Sequence, residues 1–425
     1  MERLNIVIGA HELSPEQSSE CSVGWNIVIR LGNYHNITVL YAESNQSNTS
    51  NYKKAVDNYL KNNGLIQGVE FIEIKQPLIT RLISRINKII TGYKDGQGLR
   101  ILYYIGYKLW QLKAYSVAKK LHREKKFQLA HHLTVIGFRE PGYLWRLPVP
   151  FIWGPVGGVT NISFRFQKSR GMSELFSEII RYIITKLQLY LQPNVRQAGK
   201  RAKKIFAATQ SDLVILNKRF KKKAELIPVA ACDQNAVKKQ NLINDIVNVL
   251  WCGRMVRWKA LDLLLRAIGS DEILKQKIKL TVVGDGPLLN EWTELAKNLN
   301  IEKITWKGQV SYFELQKLMN NSDLFAHTSF QEVIAIVVLD AMSVGLPVIC
   351  NNVYGMSTII NDTCGIRIPM ITYEESIKGF QKALTNVVNN KDIIEKMSNN
   401  IFLRAKELSW DSIAFQINQS YISIR

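Results

Sequence analysis

Hydrophobic and polar positions recur along this chain in one order: a short apolar run, a polar loop, then apolar positions three and four apart. LNIVIG (4–9) reads as an opening strand, and a helix is expected from about Gly24 to Leu31. A second strand, ITVLYA (37–42), follows. This β-α-β start argues for a parallel, doubly wound sheet. Further strands are expected at KFQLAHH (126–132), PVPFIWG (148–154) and KKIFAAT (203–209). Residues 78–127 and 174–191 have the helical period, and 231–246 are polar and irregular, reading as a linker. The alternation then restarts. Strands VNVLWCG (247–253), KLTVVGDG (279–286), KITWKGQV (303–310) and DLFAHTS (323–329) are separated by helices at 260–270, 288–299 and 313–322. Strand–helix units in both halves suggest two domains of the nucleotide-binding type.

The segment HTSFQEVIAIVVLDAMSVGLPVIC (327–350) is the most informative. Glu332 lies in a polar loop, and Asp340 lies in IAIVVLDAM, where an acid needs a partner or a use. Gly345 is expected to end that helix with a left-handed cap, and Pro347 to begin strand PVIC. At a helical rise of about 1.5 Å per residue the two acids stand roughly 12 Å apart along the axis. They cannot share a proton or a metal at that separation. They suit hydroxyls at two ends of an extended ligand, with an anion between them on the helix N-terminus.

At 425 residues with 46% hydrophobic content and a mean hydropathy of -0.07, the chain has room for two domains with ample cores. Its opening residues lack the pattern of a signal peptide, and no apolar run approaches a membrane span. The five cysteines, at 21, 232, 252, 350 and 364, have no CxxC spacing. They read as reduced, mostly buried thiols of a cytosolic protein, and a structural zinc site is not expected. The net charge of +21 is unevenly placed: residues 1–230 hold 35 Lys+Arg and 15 Asp+Glu, whereas 231–425 hold 21 and 20. The excess belongs to the first half and points to an anionic surface or polymer as its partner. No nucleic-acid motif accompanies it, so nucleic acid is not expected.

The Glu332–Asp340 spacing resembles the E-x7-E signature of the family-4 retaining glycosyltransferases, which have the GT-B fold: two Rossmann-like doubly wound parallel-sheet domains facing across a cleft. That resemblance implies an N-terminal acceptor-side domain at 1–228, with the C-terminal helix 408–425 packing back on it, and a nucleotide-sugar domain at 229–407. It implies that Glu332 faces the donor sugar and that Asp340, standing where the family usually has Glu, holds the ribose. Val333, Ile334 and Ala335 fill the loop where the family usually has glycine and where backbone amides approach the sugar.

In WCGRMVRWKALDLLL (251–265) the resemblance gives Arg254 and Lys259 the diphosphate. A forked guanidinium and a point ammonium suit its oxygens. Arg257 has no counterpart and reads as solvated. VVGDGPLL (282–289) looks like a dinucleotide fingerprint but lacks its third glycine, so Gly284 and Gly286 read as structural. WKGQV (306–310) resembles the family strand beside the nucleobase, where Gly308 lets main chain approach a planar ring.

SPEQSSECSVGWNIVIRLG (14–32) resembles an opening found in a subset of the family. It puts Gly24 at the first helix N-terminus, beside the donor phosphate. HHLTVIGFREPGYLWRLPVPFIWGPVGGV (131–159) matches the same subset and makes Gly157 and Gly158 an acceptor-side loop. His132 ends a strand there, and by resemblance it binds the acceptor hydroxyl or relays its proton. His131 faces the opposite way, and a hydrogen-bonded core histidine is the competing reading for either. Trp410 and Tyr421 read as packing anchors.

The basic helices of 78–127 and 174–191 have two readings: a solvated polar face over a core stripe, or an interfacial surface gripping anionic lipid heads. The function these features imply is a retaining, metal-independent glycosyltransferase. It takes a nucleoside-diphosphate sugar as co-substrate, has no separate cofactor, and uses a glycan or lipid-linked acceptor. It is expected in the cytoplasm, peripheral on the inner face of the cell membrane. A catalytically weak GT-B scaffold and a GT-B sugar-nucleotide isomerase remain as alternatives.

Overall fold

The structure, a computed structural model, describes residues 2–16, 20–45, 50–91, 99–221, 224–229, 231, 232, 245–333 and 335–424. Ile334 and most of the expected linker lie outside the described residues. The chain divides into two compact units. One is Met1–Val159 with Thr185–Val229 and Trp410–Arg425; the other is Thr160–Ile184 with Ala230–Ser409.

The first unit is built on a seven-stranded parallel sheet. Its strands are β1 (Asn5–Gly9), β2 (Asn36–Ala42), β3 (Val69–Ile74), β4 (Leu129–His132), β5 (Phe151–Val156), β6 (Ala202–Ala207) and β7 (Glu225–Leu226). Their order is β3-β2-β1-β4-β5-β6-β7. Strands β1, β4 and β5 are almost wholly buried, as a parallel sheet covered on both faces requires. The chain builds outward from β1 to β3 and then returns to place β4 on the other side of β1. The order therefore reverses between β1 and β4, with Gly9 in register with His132.

The helix after β1 spans Glu20–Leu31, so it starts about four residues ahead of expectation and puts Gly24 in its second turn. A Cβ at Gly24 would stand 2.5 Å from the Glu12 carbonyl oxygen, so glycine there allows helix and loop to close. The C-terminal helix, Trp410–Ile422, belongs to this unit and buries Trp410 and Tyr421. Asp411 pairs with Arg30 at 2.8 Å.

Helix Leu78–Thr91 reverses the ordinary reading of an amphipathic segment. Its polar Thr80 and Asn87 are 1% and 4% exposed, whereas Leu78 and Ile89 are 80% and 81% exposed. Asn87 Oδ1 accepts from the Leu99 amide at 2.8 Å, which fixes the polar side inward. Helix Met172–Leu191 likewise buries Glu178 and Thr185 and exposes Phe176, Ile180 and Leu187.

The second unit carries a six-stranded parallel sheet: β8 (Val247–Cys252), β9 (Ile278–Val283), β10 (Ile304–Gly308), β11 (Leu324–His327), β12 (Val348–Asn351) and β13 (Gly365–Ile368). The order is β10-β9-β8-β11-β12-β13, so it reverses between β8 and β11. Residues 160–184, ahead of the expected boundary at 229, pack with this unit. Buried Phe166 meets the rings of Phe330 and Tyr373 at 5.5 and 5.9 Å, and the Tyr373 amide donates to Ser169 Oγ at 2.7 Å. Gly345 has φ +74° just after helix Ile336–Ser343, the left-handed stop that the sequence predicts. Gly284, at φ +122°, has no room for a side chain because a Cβ would run into the Gly253 carbonyl oxygen. Among the described residues no helix is long and apolar enough to cross a membrane. All five cysteines are free thiols, with Cys252 half-buried and the others buried.

Candidate functional site

In an open parallel sheet, loops on either side of an order reversal leave the carboxyl edge in opposite directions and open a crevice there. The second unit places its chemistry at that point. The turn after β8 carries Lys259, and the loop after β11 carries Glu332. Lys259 Nζ lies 2.5 Å from Glu332 Oε1, with the two side chains 14% and 21% exposed. The two segments are stitched together behind the pair. Thr328 Oγ1 donates to the Lys259 carbonyl at 2.6 Å and accepts from Trp251 Nε1 at 2.9 Å. The Phe330 amide and Ser329 hydroxyl both donate to the Trp258 carbonyl. Ala260, next to Lys259, sits in the left-handed region at φ +47°, an uncommon conformation for a residue with a Cβ.

His327 completes this cluster and is the residue that sequence reasoning missed. It ends β11, is 2% exposed, and brings Nε2 to 2.9 Å from Glu332 Oε2. The approach is close, but the two atoms are not aligned as a good hydrogen bond, and both remain without one among the described residues. Burial alone would raise the Glu332 pKa. His327 and then Lys259 outweigh it and hold the carboxyl down at about 2. Glu332 is therefore a fixed anion at neutral pH, with Oε1 on Lys259 and Oε2 buried against His327. A lone histidine at a strand end reads as core from sequence, and only the fold shows that it faces the acid.

Arg254 is exposed on the same turn, in the Gly253–Met255 stretch held by the Met255 amide donating to the Asp285 carbonyl at 2.8 Å. Arg257 pairs with Glu174 at 3.1 Å. Helix Ile336–Ser343 begins at Ala335 with no side-chain cap, so its first amides point toward the Glu332 loop. Val333 is half-buried and Ala335 buried in that loop. Asp340 is half-buried on the helix, accepts from Tyr312 Oη at 3.4 Å, and lies close enough to Cys252 to help raise that thiol's pKa. Burial is the larger cause of the Cys252 shift, to about 11. Gly308 has φ +63° with open space where a Cβ would be, so the main chain is bare there.

The first unit repeats the arrangement at its own reversal, between β1 and β4. His131 and His132 face opposite ways. His131 Nε2 meets the Gly154 carbonyl at 2.6 Å, and its Nδ1 meets Tyr421 Oη at 2.5 Å. A carbonyl only accepts, so Nε2 carries the proton and Nδ1 accepts from the tyrosine. That is the satisfied core histidine. His132 is equally buried; the Glu140 backbone lies against its ring, but neither ring nitrogen makes a well-aligned hydrogen bond among the described residues, and His11 just beyond β1 makes none there either.

Burial keeps both rings neutral, with pKa values lowered to about 3; for His132 the neighbouring His131 and His11 add to this. Glu12 lies beside them, its carboxyl pushed up to about 8 by burial and by Glu20. Glu20 is also raised by burial, although it accepts from the Val135 and Ile136 amides at 3.0 and 3.4 Å. Val135 is held at φ +63°, a strained conformation for a β-branched residue. Gly157 pairs with Gly137 in a bridge beyond β5, and Gly158 turns at φ +80°. His11 and Glu12 escape a sequence reading because polar residues in a polar loop carry no period, and Glu20 because the amides it caps lie more than a hundred residues on. Among the described residues no three His, Cys, Asp or Glu side chains stand where they could hold a metal ion.

Two all-parallel α/β units of seven and six strands are the fold of GT-B glycosyltransferases. The lipopolysaccharide outer core galactosyltransferase WaaB, in its apo form, matches with a TM-score of 0.63 at 13% identity over 99% of each chain. Anabaena HepE, solved in complex with UDP-glucose, matches at 0.53 and 15% identity, over 99% of this chain and 100% of that one. At those identities the likeness is one of fold.

Sequence comparison places the second half more closely: residues 233–404 match the family Glycosyl transferases group 1, and that stretch is a domain of this kind. An uncharacterized glycosyltransferase of Methanocaldococcus jannaschii is 29% identical over 177 residues, which is 39% of this chain and 42% of that protein. The matched stretch spans about two fifths of the length of the curated relatives.

Proposed function

We propose that this chain is a retaining glycosyltransferase that moves a sugar from a nucleoside-diphosphate sugar to a glycan or lipid-linked acceptor in cell-surface glycan assembly, with no divalent metal. The observation that carries this reading is the Lys259–Glu332–His327 cluster at the order reversal of a Glycosyl transferases group 1 domain. The C1–oxygen bond to the diphosphate breaks, and the acceptor oxygen bonds to C1 on the same face. The acceptor's proton passes to the departing diphosphate. Charge builds on that leaving group, and Lys259, Arg254 and the uncapped helix at Ala335 offset it where water is scarce. Glu332, held ionised by Lys259 and His327, orients sugar hydroxyls. Asp340 and Tyr312 take the ribose, and bare main chain at Gly308 takes the base. Val333 and Ala335 line the sugar. On the first unit, neutral His132 donates its ring N–H to the acceptor oxygen and so positions the hydroxyl, beside the loop of Gly157 and Gly158. Gly24 acts there by letting Glu12 close on the helix.

The protein works in the cytoplasm on the inner face of the membrane, a placement that rests on the basic first half. A second reading, a catalytically weak binding subunit, is favoured by one feature: Val333 and Ala335 put side chains where backbone alone would approach the sugar.

The test is thermal stabilisation by a panel of UDP-, GDP-, ADP- and CMP-sugars. Uridine nucleotides come first because HepE, which shares the fold, was solved with UDP-glucose. A ligand at 100 times its dissociation constant adds about 2.7 kcal/mol of stability. One nucleotide class is expected to give the shift. No shift from any of them contradicts a donor site.

A further inference from the structure

Helix Leu78–Thr91 has a stripe that no described residue covers. Leu78, Ile79, Leu82, Ile86, Ile89 and Ile90 occupy roughly 120° of its circumference at 100° per residue, and all six are exposed. Arg81, Arg85 and Lys88 line one edge of the stripe, also exposed, with Arg81 reaching Glu43 at 3.2 Å. The inward side is the polar one, Thr80 and Asn87. A surface helix ordinarily buries its aliphatic stripe and shows water its polar face. Here the Asn87 side chain is spent on the Leu99 backbone, with its Oδ1 accepting from the Leu99 amide, so the helix cannot simply roll over. A contiguous apolar patch rimmed by charge marks an interaction surface.

We propose that Leu78–Thr91 lies flat on an anionic bilayer, its aliphatic stripe among the acyl chains and Arg81, Arg85 and Lys88 among phosphate head groups. This deepens the membrane placement proposed above and rests on that reading. Charge chooses the occupant. Residues 1–230 carry 35 Lys+Arg against 15 Asp+Glu, so a second copy would bring like charge to the same face. An anionic leaflet covers the stripe and neutralises the cations together. No span is needed, because the helix inserts edge-on rather than across.

The full-length chain is sedimented with sucrose-loaded vesicles, either phosphatidylcholine alone or phosphatidylcholine mixed with phosphatidylglycerol. No nucleotide is present. The expected result is binding to the phosphatidylglycerol vesicles that weakens as salt is raised, with little binding to phosphatidylcholine. The double variant Ile86→Glu, Ile89→Glu is expected to lose binding by roughly tenfold or more. It should keep the parent's melting temperature, since both side chains face water in the free protein. Arg85→Ala with Lys88→Ala should weaken binding and flatten its salt dependence.

Three results overturn the proposal. One is wild type left in the supernatant with anionic vesicles, and another is a glutamate variant that sediments like the wild type. The third is a dimer, seen by light scattering and broken in the glutamate variant, which makes a second copy the occupant. The donor-induced melting shift is read on the same variants. Vesicle binding lost with the shift intact concerns this helix alone, whereas vesicle binding kept with no shift strikes only the transferase reading.

Discussion

Lys259→Ala is expected to lower kcat/KM by about 10²–10³-fold and to abolish the melting shift given by the donor. Two effects add. The leaving diphosphate loses the ammonium that meets its charge, and Glu332 loses the 2.5 Å partner that holds Oε1 in place. Among the described residues the carboxylate then keeps the poorly aligned His327. Because the pair is mostly but not wholly buried, the loss of stability is about 1–3 kcal/mol. Lys259→Arg should not restore the full rate, because a planar fork delivers its charge differently from the point ammonium that meets Glu332 Oε1. Steady-state kinetics beside calorimetry separates the contributions. A variant that is destabilised but turns over at the parental rate would mean that Lys259 only braces the loop.

The second large effect is on pH and falls on the first unit. Glu12 has a folded pKa raised to about 8 from an ordinary value near 4.5. Its contribution is therefore fully present below pH 4.5 and is lost as pH rises through 8. His11 and His132 are lowered from 6.5 to about 3, and His131 to about 4, so their contribution is present above pH 6.5 and lost as pH falls toward those values.

Between pH 4.5 and 6.5 the carboxyl and the imidazoles oppose each other. Above pH 6.5 the imidazoles are neutral folded or unfolded, and the raised carboxyls act alone. From pH 6.5 to 8 the first unit is therefore expected to lose about 1.4 kcal/mol per pH unit for Glu12. Glu140, raised to about 7 by burial, adds to the first part of that fall, and Glu20, also raised by burial, acts in the same direction. Glu12→Gln, neutral at any pH and nearly the same shape, should remove the Glu12 share of the slope and be the more stable form at pH 8. Calorimetry of both proteins at the two ends of the window reads it directly. Parallel slopes would mean that Glu12 is ionised in the fold.

Five strands of the second sheet were legible as short apolar runs, two of them closed by glycine, whereas β13 was not, because Arg367 interrupts its run. VNVLWCG and KLTVVGDG can be nothing else once the helices between them are seen. Glu332 and Asp340 were legible for a related reason: an acid next to Ile334–Leu339 has no bland place to go. His327 was hidden because its meaning depends on a loop five residues on that folds back over the strand end. The start of the first helix was missed by four residues, since Glu20 is held by amides at 135 and 136, a contact with no local trace. Nothing in 45–77 announced β3, whose Glu70 and Glu73 dilute the apolar pattern. Helix 78–91 shows the limit most clearly. Its period is plain in the sequence, but period alone does not say which face is turned inward.

The central claim is that the cluster around Glu332 carries out glycosyl transfer with retention. The most direct measurement follows the anomeric proton by NMR while the protein turns over the nucleotide sugar chosen by the melting panel. The account predicts release of nucleoside diphosphate and a first-formed product with the donor's anomeric configuration, both lost in Lys259→Ala. A product of inverted configuration, or turnover undiminished in that variant, would contradict it.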